Sequence, residues 1–406
     1  MSRYLVGSLF LLCVALGACQ EDDFPNSFTE EEVPGGDGLR YADFALPQTI
    51  LDPANNPTTA AKIELGRLLF WDPVLSGTKD VSCATCHHPD FGYGDGVDLS
   101  IGIHGIGLGP MRRSLLANET FFAARNAPSV LNTAFNGMDE DGLYRPENGP
   151  MFWDLRAQSL EAQALLPPTA LEEMRGDAYL AEDAIDSVVL RLQSIEEYQR
   201  LFTGAFGSPQ AVNAENLGKA LGAFQRSLVS LNSEFDRYIA GETGAMSPQA
   251  IRGFERFLEA GCDNCHSGPM FSDFDAHVLG VPDNPKLTSS DAGLNGTYAF
   301  RTPSLRNIGL TAPYFHSGLA GDLEDVLRFY LLVRRPNNGG GPGGGLDINP
   351  NVNPNQLAPE LRQLQLGPGD VDEIRAFLLA LNDEDFDRDI PNRVPSGLSV
   401  GGNIGQ

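Results

Sequence analysis

The segment Cys83-Ala84-Thr85-Cys86-His87 constrains this chain more than any other, because it recurs as Cys262-Asp263-Asn264-Cys265-His266. Cys-x-x-Cys-His is the attachment signature of a c-type haem. Two thiols at that spacing reach the two vinyl groups of one porphyrin, and the adjacent imidazole reaches the iron from the proximal side. Such a chain must wrap two apolar crevices, and each porphyrin supplies part of a core. Two other readings use the same thiols: one four-cysteine zinc site, or two reversible disulfides. Neither accounts for a histidine directly after both pairs. The residues therefore read as two covalent haem c groups, held by Cys83, Cys86, His87 and by Cys262, Cys265, His266.

At 406 residues the chain is long enough for two domains, and its 45 Gly and 28 Pro imply much loop between helices. The fold class expected is mainly α, with two cytochrome c-like haem domains joined by long loops. A net charge of −26 repels nucleic acid and anionic lipid. It would attract a small cationic electron-donor protein, although a soluble acidic exported protein explains it equally well. The two remaining cysteines, Cys13 and Cys19, leave none for structural disulfides in the body of the chain.

Arg3 opens an apolar run from Tyr4 to Leu16 that ends Leu16-Gly17-Ala18-Cys19. The run is too short for a permanent membrane span and has the layout of a secretory signal. Leu-Gly-Ala-Cys resembles a bacterial lipobox. That resemblance implies a signal peptide over 1–18, lipid on Cys19 and, with Gln20 following, the outer membrane on its periplasmic side. An ordinary signal peptide with an incidental cysteine remains the alternative. Residues 19–45 read as an acidic tether, with Glu30-Glu31-Glu32 and Gly35-Gly36.

Periodicity predicts helices over 58–70, 180–203, 213–240, 249–260 and 369–381, and a domain boundary near residue 230. This gives a first domain over 46–230 and a second over 231–406. Asp322 reads as an N-cap for a helix with Leu323, Val326, Leu327, Tyr330 and Leu331 along one stripe. Gly339 to Gly345 and the Asn-Pro run after it read as an exposed insertion, and the tail after Pro391 as frayed.

Leu65-Gly66-Arg67, Leu75-Ser76-Gly77, the first haem motif, Arg125-Asn126-Ala127-Pro128-Ser129 and Phe152-Trp153-Asp154 follow one another in order. Arg301-Thr302-Pro303-Ser304-Leu305-Arg306-Asn307 and Thr311-Ala312-Pro313-Tyr314-Phe315-His316 follow the second motif. This order resembles the bacterial di-haem cytochrome c peroxidase family, which includes the MauG branch, over nearly the whole chain beyond about residue 58.

The resemblance implies that Trp153 lies between the haems and relays electrons, and that Gln163 and Glu173 line the distal side of the peroxidatic haem. Without it, Trp153 is a core aromatic and Glu173 a solvated loop charge like Glu172. The resemblance also implies Ca²⁺ between the haems, held by Asn126, Thr311 and the Pro313 carbonyl, where the plain reading is turn capping. Tyr330 stands where peroxidases of the family carry an axial Met and the MauG branch carries Tyr. Its plain reading is a packed core residue, and Met270 and Met246 are its rivals as ligand. His104 is a candidate second ligand of the first haem, although its Gly-rich surroundings read more like the branch that needs none. His88 is read as a solvated neighbour of His87, and His277 and His316 as hydrogen-bonded structural or propionate-side residues.

Three functions follow. The first is a peroxidase that reduces hydrogen peroxide with electrons passed from the C-terminal to the N-terminal haem. The second is a MauG-like oxidase of a protein side chain or organic substrate. The third is a non-enzymatic electron carrier. A homodimer is compatible with each.

Overall fold

The computed structural model describes residues 41–116, 120–334 and 346–405. The signal segment, Cys13, Cys19, most of the expected tether and the Gly339–Gly345 run lie outside these residues. Ten α-helices and three two-stranded antiparallel ribbons are present among them. None of these helices is long and apolar enough to cross a membrane. In the first half of the chain lie α1 (Ala60–Trp71), α2 (Cys83–Cys86), α3 (Leu160–Gln163), α4 (Ala184–Gln193), α5 (Glu196–Phe206) and α6 (Ala214–Ser227). In the second half lie α7 (Glu234–Ile239), α8 (Pro248–Glu259), α9 (Leu323–Val333) and α10 (Val371–Ala380). The ribbons pair β1 (Gly105–Ile106) with β2 (Arg113–Ser114), β3 (Pro150–Met151) with β4 (Ala157–Gln158), and β5 (Ala276–His277) with β6 (Phe300–Arg301).

The two haem motifs are delivered in the same way. Thr59 caps α1 by accepting from the Lys62 N–H, and Ser247 caps α8 by accepting from the Ala250 N–H with Pro248 at its first position. Each helix then packs a glycine against a partner helix. A Cβ on Gly66 would lie 2.1 Å from the Ala220 carbonyl oxygen of α6, and one on Gly253 would lie 1.9 Å from the Glu373 carbonyl oxygen of α10. Only a residue without a side chain permits such close approach. Leu65, Leu69, Phe70, Leu217, Leu221 and Phe224 fill the first core. Phe235, Phe254, Phe257, Phe271 and Phe377 fill the second with edge-to-face and tilted ring contacts.

The ends of the chain cross over. Tyr41 and Phe44, expected in the tether, are buried in the second core. Phe386 and Val394 are buried in the first. The expected frayed tail is therefore corrected: Ser396 Oγ donates to Asp72 Oδ1 at 2.7 Å, Gly401 N–H to the Trp71 carbonyl at 2.8 Å, and Asn403 N–H to the Asp80 carbonyl at 3.0 Å. The Asn-Pro stretch expected in an exposed insertion also packs, with Asn349 and Val352 buried. The long helices expected over 180–203 and 213–240 are each broken, at Ser194-Ile195 and between Leu228 and Ser233. The second break has a use. Ser230 there exchanges hydrogen bonds with Asn132 and accepts from Asn307, so both halves meet on one buried serine.

Candidate di-haem site

Backbone geometry sets each motif before any cofactor is considered. In the first, Cys83 to Cys86 form one helical turn, and the His87 ring Nδ1 lies 3.1 Å from the Tyr93 carbonyl. In the second, His266 Nδ1 lies 2.9 Å from the Phe271 carbonyl. A carbonyl there fixes Nδ1 as the protonated nitrogen and leaves Nε2 as the free donor, the arrangement that orients an imidazole on a metal. Burial lowers the pKa of both rings, which keeps them neutral. The four thiols are unpaired. Among the described residues one cluster gathers three metal-ligating groups, Cys265, Asp273 and His277, and it excludes Cys83 and Cys86. A single four-cysteine zinc site is therefore ruled out. Both motifs fit a haem with His87 and His266 as its proximal ligands.

Around the second motif one cavity is lined by Cys262, Cys265, His266 and Tyr330. Tyr330 is on α9, whose N-terminus is closed by Asp322 accepting from the Asp325 N–H. Burial raises the pKa of the Tyr330 phenol, and charge on Cys265 and Cys262, which line the same cavity, would raise it further. Met270, a rival ligand, also lines this cavity, whereas Met246 is packed in the second core. His277, close by, pairs its Nε2 with Asp273 Oδ2 at 2.8 Å.

The same cavity reaches Trp153, Asn126, Thr311, Pro313 and His316. Trp153 is held from both halves of the molecule. Its indole Nε1–H donates to the Asn126 carbonyl at 3.0 Å, and its own carbonyl accepts from Arg301 N–H at 2.7 Å. Asn126 uses Nδ2 on the Val97 carbonyl at 2.9 Å, which leaves Oδ1 as the atom able to face a cation. The Thr311 hydroxyl donates to the Ile308 carbonyl at 3.2 Å.

Several residues here were not singled out by sequence. Arg125 bridges Asp154 at 2.7 Å and Asp291 at 2.6 Å, so it fastens the residue after Trp153 to the second half. Phe300 stacks on the buried His316 ring at 3.5 Å, and that ring meets Trp153 edge-on at 6.4 Å. Arg125 and His316 were visible as parts of family-like runs. Their acidic and aromatic partners, far apart in sequence, carried no local signal.

Above the first motif the expected loop around Glu173 is a π-helical turn, Leu171–Arg175. Burial and the neighbouring Glu172 push the Glu173 carboxyl up to about 7, against a smaller opposing effect of Arg156. The turn packs against Gly77, whose N–H donates to the Met174 carbonyl at 2.7 Å, and against Gly102. Gln163 ends α3, half-buried. Glu161 on that helix binds the buried Arg226 of α6 at 2.6 Å, fixing where Gln163 stands. His104 has a positive φ of 57°, donates its N–H to Asp80 Oδ2 at 3.1 Å and sets its ring 6.3 Å from that of Phe121. His88, expected in solvent, is buried edge-on against Trp71 at 5.5 Å, with Nδ1 accepting from the Asp90 N–H.

This geometry is matched by known proteins. The family model for di-haem cytochrome c peroxidase matches residues 60–244. The methylamine utilization protein MauG of Methylorubrum extorquens is 38% identical over 296 residues, 71% of this chain and 74% of that protein. The cytochrome c551 peroxidase of Pseudomonas aeruginosa is 34% identical over 295 residues, 70% of this chain and 75% of that protein. A crystal structure of a MauG-like protein associated with microbial copper homeostasis superposes with a TM-score of 0.64 at 26% identity, covering 83% of this chain and 95% of that one.

Proposed function

Because this chain belongs to the di-haem cytochrome c peroxidase family, a family of haem oxidoreductases that also holds MauG, we propose that it cleaves hydrogen peroxide at the first site and exchanges electrons with the second through Trp153. The observation that carries this reading is the Glu173 carboxyl, which burial holds at about 7, on a turn whose Met174 carbonyl accepts from the Gly77 N–H of the segment leading into the first motif. Bound haem supplies the iron that exchanges electrons with peroxide. Glu173 takes the proton from the incoming peroxide and returns it to the outer oxygen as the O–O bond breaks. Gln163, on the pinned α3, orients the peroxide. The balance is one hydrogen peroxide, two protons and two electrons to two waters.

Tyr330 would supply an oxygen ligand to the iron of the second haem, a role supported by its place in one cavity wall with His266. A phenolate is a hard donor that favours higher oxidation states. This favours a second reading, a MauG-like oxidase of a side chain or organic substrate. His104, whose backbone N–H donates to Asp80 and whose ring lies beside Phe121, is not required as a ligand in this reading, which leaves the first site open to peroxide. Asn126, Thr311 and the Pro313 carbonyl hold Ca²⁺, supported by their shared cavity wall and their oxygen donors. The chain is exported to the periplasmic side, with Cys19 as lipid anchor, and a small cationic protein is the electron donor, supported by the net charge of −26. A division near residue 230 separates the haem domains, with Leu228 in the first core and Phe235 in the second. A non-enzymatic carrier is set aside, because the relatives are peroxidases and MauG.

Absorption and magnetic resonance of the ferric holoprotein, before and after peroxide, test the reading. A five-coordinate high-spin component that peroxide consumes is expected. Two six-coordinate haems with nitrogen or sulfur ligands, inert to peroxide, would overturn it. Sustained turnover with reduced cytochrome c selects the peroxidase, and a single unrepeated reaction selects the oxidase.

A further inference from the structure

The turn that carries Glu173 closes its own hydrogen bonds, Arg175 N–H to the Ala170 carbonyl and Gly176 N–H to the Leu171 carbonyl, and is also packed between two other segments. Its floor is the segment Leu75-Ser76-Gly77, where the Gly77 N–H donates to the Met174 carbonyl at 2.7 Å. Its other wall is Gly102. A Cβ there would stand 2.2 Å from the Glu172 carbonyl oxygen and 2.3 Å from that of Glu173. The 101–107 loop therefore touches the backbone of the Glu173 turn directly, with no side chain between them.

That loop is shaped around one guanidinium. Arg112 Nη2 donates to the Gly102 carbonyl at 2.7 Å, Nη1 to the Gly107 carbonyl at 2.9 Å, and Nε to the Ile101 carbonyl. Among the described residues all the hydrogen bonds of Arg112 go to carbonyls of this loop, and none to a carboxylate. A planar fork with fixed N–H directions can bind three carbonyls at once, and a lysine cannot. The outer side of the loop is latched by the chain's end. Gly107 N–H donates to the Asn403 carbonyl at 3.0 Å, and Asn403 N–H to the Asp80 carbonyl at 3.0 Å. Arg112 thus holds Gly102, and Gly102 packs directly against the backbone of the Glu173 turn.

We propose that Arg112 is the positioning residue for Glu173, acting through the backbone of Gly102. The proposal rests on the reading that Glu173 manages the peroxide proton. Charged groups acting on Glu173 are Glu172 on its own turn and Arg156 after Trp153, while Arg175 turns to the Thr169 and Tyr179 carbonyls and Arg112 interacts with Asp80 and Asp95. Loosening the loop admits water to the carboxyl, and a hydrated carboxyl ionises at lower pH.

Arg112→Lys keeps the charge and removes the fork. Gly102→Ala pushes on the same turn from the opposite side. Both are compared with the parent and with Glu173→Gln as holoproteins containing two haems and an unchanged second-haem spectrum. Two readouts are taken against pH: infrared difference spectra of the carboxyl band without peroxide, and the rate of the first peroxide reaction. The parent is expected to show a titration near 7 that Glu173→Gln removes. In Arg112→Lys and in Gly102→Ala that titration is expected at least about one pH unit lower, with the rate reduced ten-fold or more. A titration that stays in place in both variants while Glu173→Gln removes it would overturn this proposal and leave the role of Glu173 intact. A titration that survives Glu173→Gln would overturn both. Should one variant fail to fold, the other decides.

Discussion

The two haem motifs sit on matching scaffolds and face different surroundings. In each, a capped helix with a glycine at its closest helix contact leads into Cys-x-x-Cys-His, and a carbonyl five or six residues on orients the histidine. Lining one cavity with His266 is a buried phenol, Tyr330, on a regular helix. In the first half a buried carboxyl, Glu173, stands on a π-helical turn packed against Gly77 and Gly102. A helix delivers one atom rigidly, which suits a permanent ligand. A π-helical turn wedged between two loops delivers a proton carrier without filling the coordination position. The two motifs therefore share one local geometry, and in the proposed function Tyr330 and Glu173 divide the chemistry between them.

The strongest test of this division is Glu173→Gln. It is expected to cut the first reaction with peroxide by roughly 10²- to 10⁴-fold in rapid mixing, with little effect on the second haem. Its sign with pH is fixed. Glu173 has a raised pKa, so it is the neutral acid below about 7 and the base above. The parent rate should then rise about ten-fold from pH 6 to pH 8 as the carboxylate forms, and the variant should lack that rise. An unchanged rate in the variant would erase the functional difference between the two distal sides.

Next in size, Tyr330→Met is expected to raise the potential of the second haem by on the order of 100 mV, read by spectroelectrochemistry, because a soft sulfur replaces a hard oxygen. The first haem should keep its potential and high-spin component. A potential that does not move would return Tyr330 to the core.

The smallest effects concern the shared scaffold. Gly66→Ala and Gly253→Ala should each destabilise by about 1–3 kcal/mol, because the added methyl meets a backbone carbonyl that cannot rotate away. Denaturant unfolding followed at each haem would sharpen the comparison. Equal losses point to one cooperative unit, whereas a loss confined to one haem would show that the halves unfold separately.

The proximal sites were legible because attachment is local. Three residues in a five-residue window carry it, and the caps at Thr59, Ser247 and Asp322 are equally local. The breaks at Ser194-Ile195 and after Leu228 were not legible, since apolar spacing continues through them. Tertiary hydrogen bonding to Ser230 interrupts the second helix there. The tail after Pro391 looked free because its polar, Gly-rich composition matches that of frayed ends. Its glycines instead allow it to lie close on the first half, where a Cβ on Gly402 would sit 2.2 Å from the Asp80 carbonyl oxygen.

The sequence by itself determined that this is a mainly helical chain with two haem attachment sites and a family-like order of motifs, because covalent chemistry and helix caps are written in adjacent residues. Tertiary structure alone decided that Arg125 joins Asp154 to Asp291, that Phe300 covers His316, and that the chain's last residues brace the loop beside Glu173. Those contacts depend on burial and on carbonyls brought together from distant positions, and neither leaves a pattern along the chain.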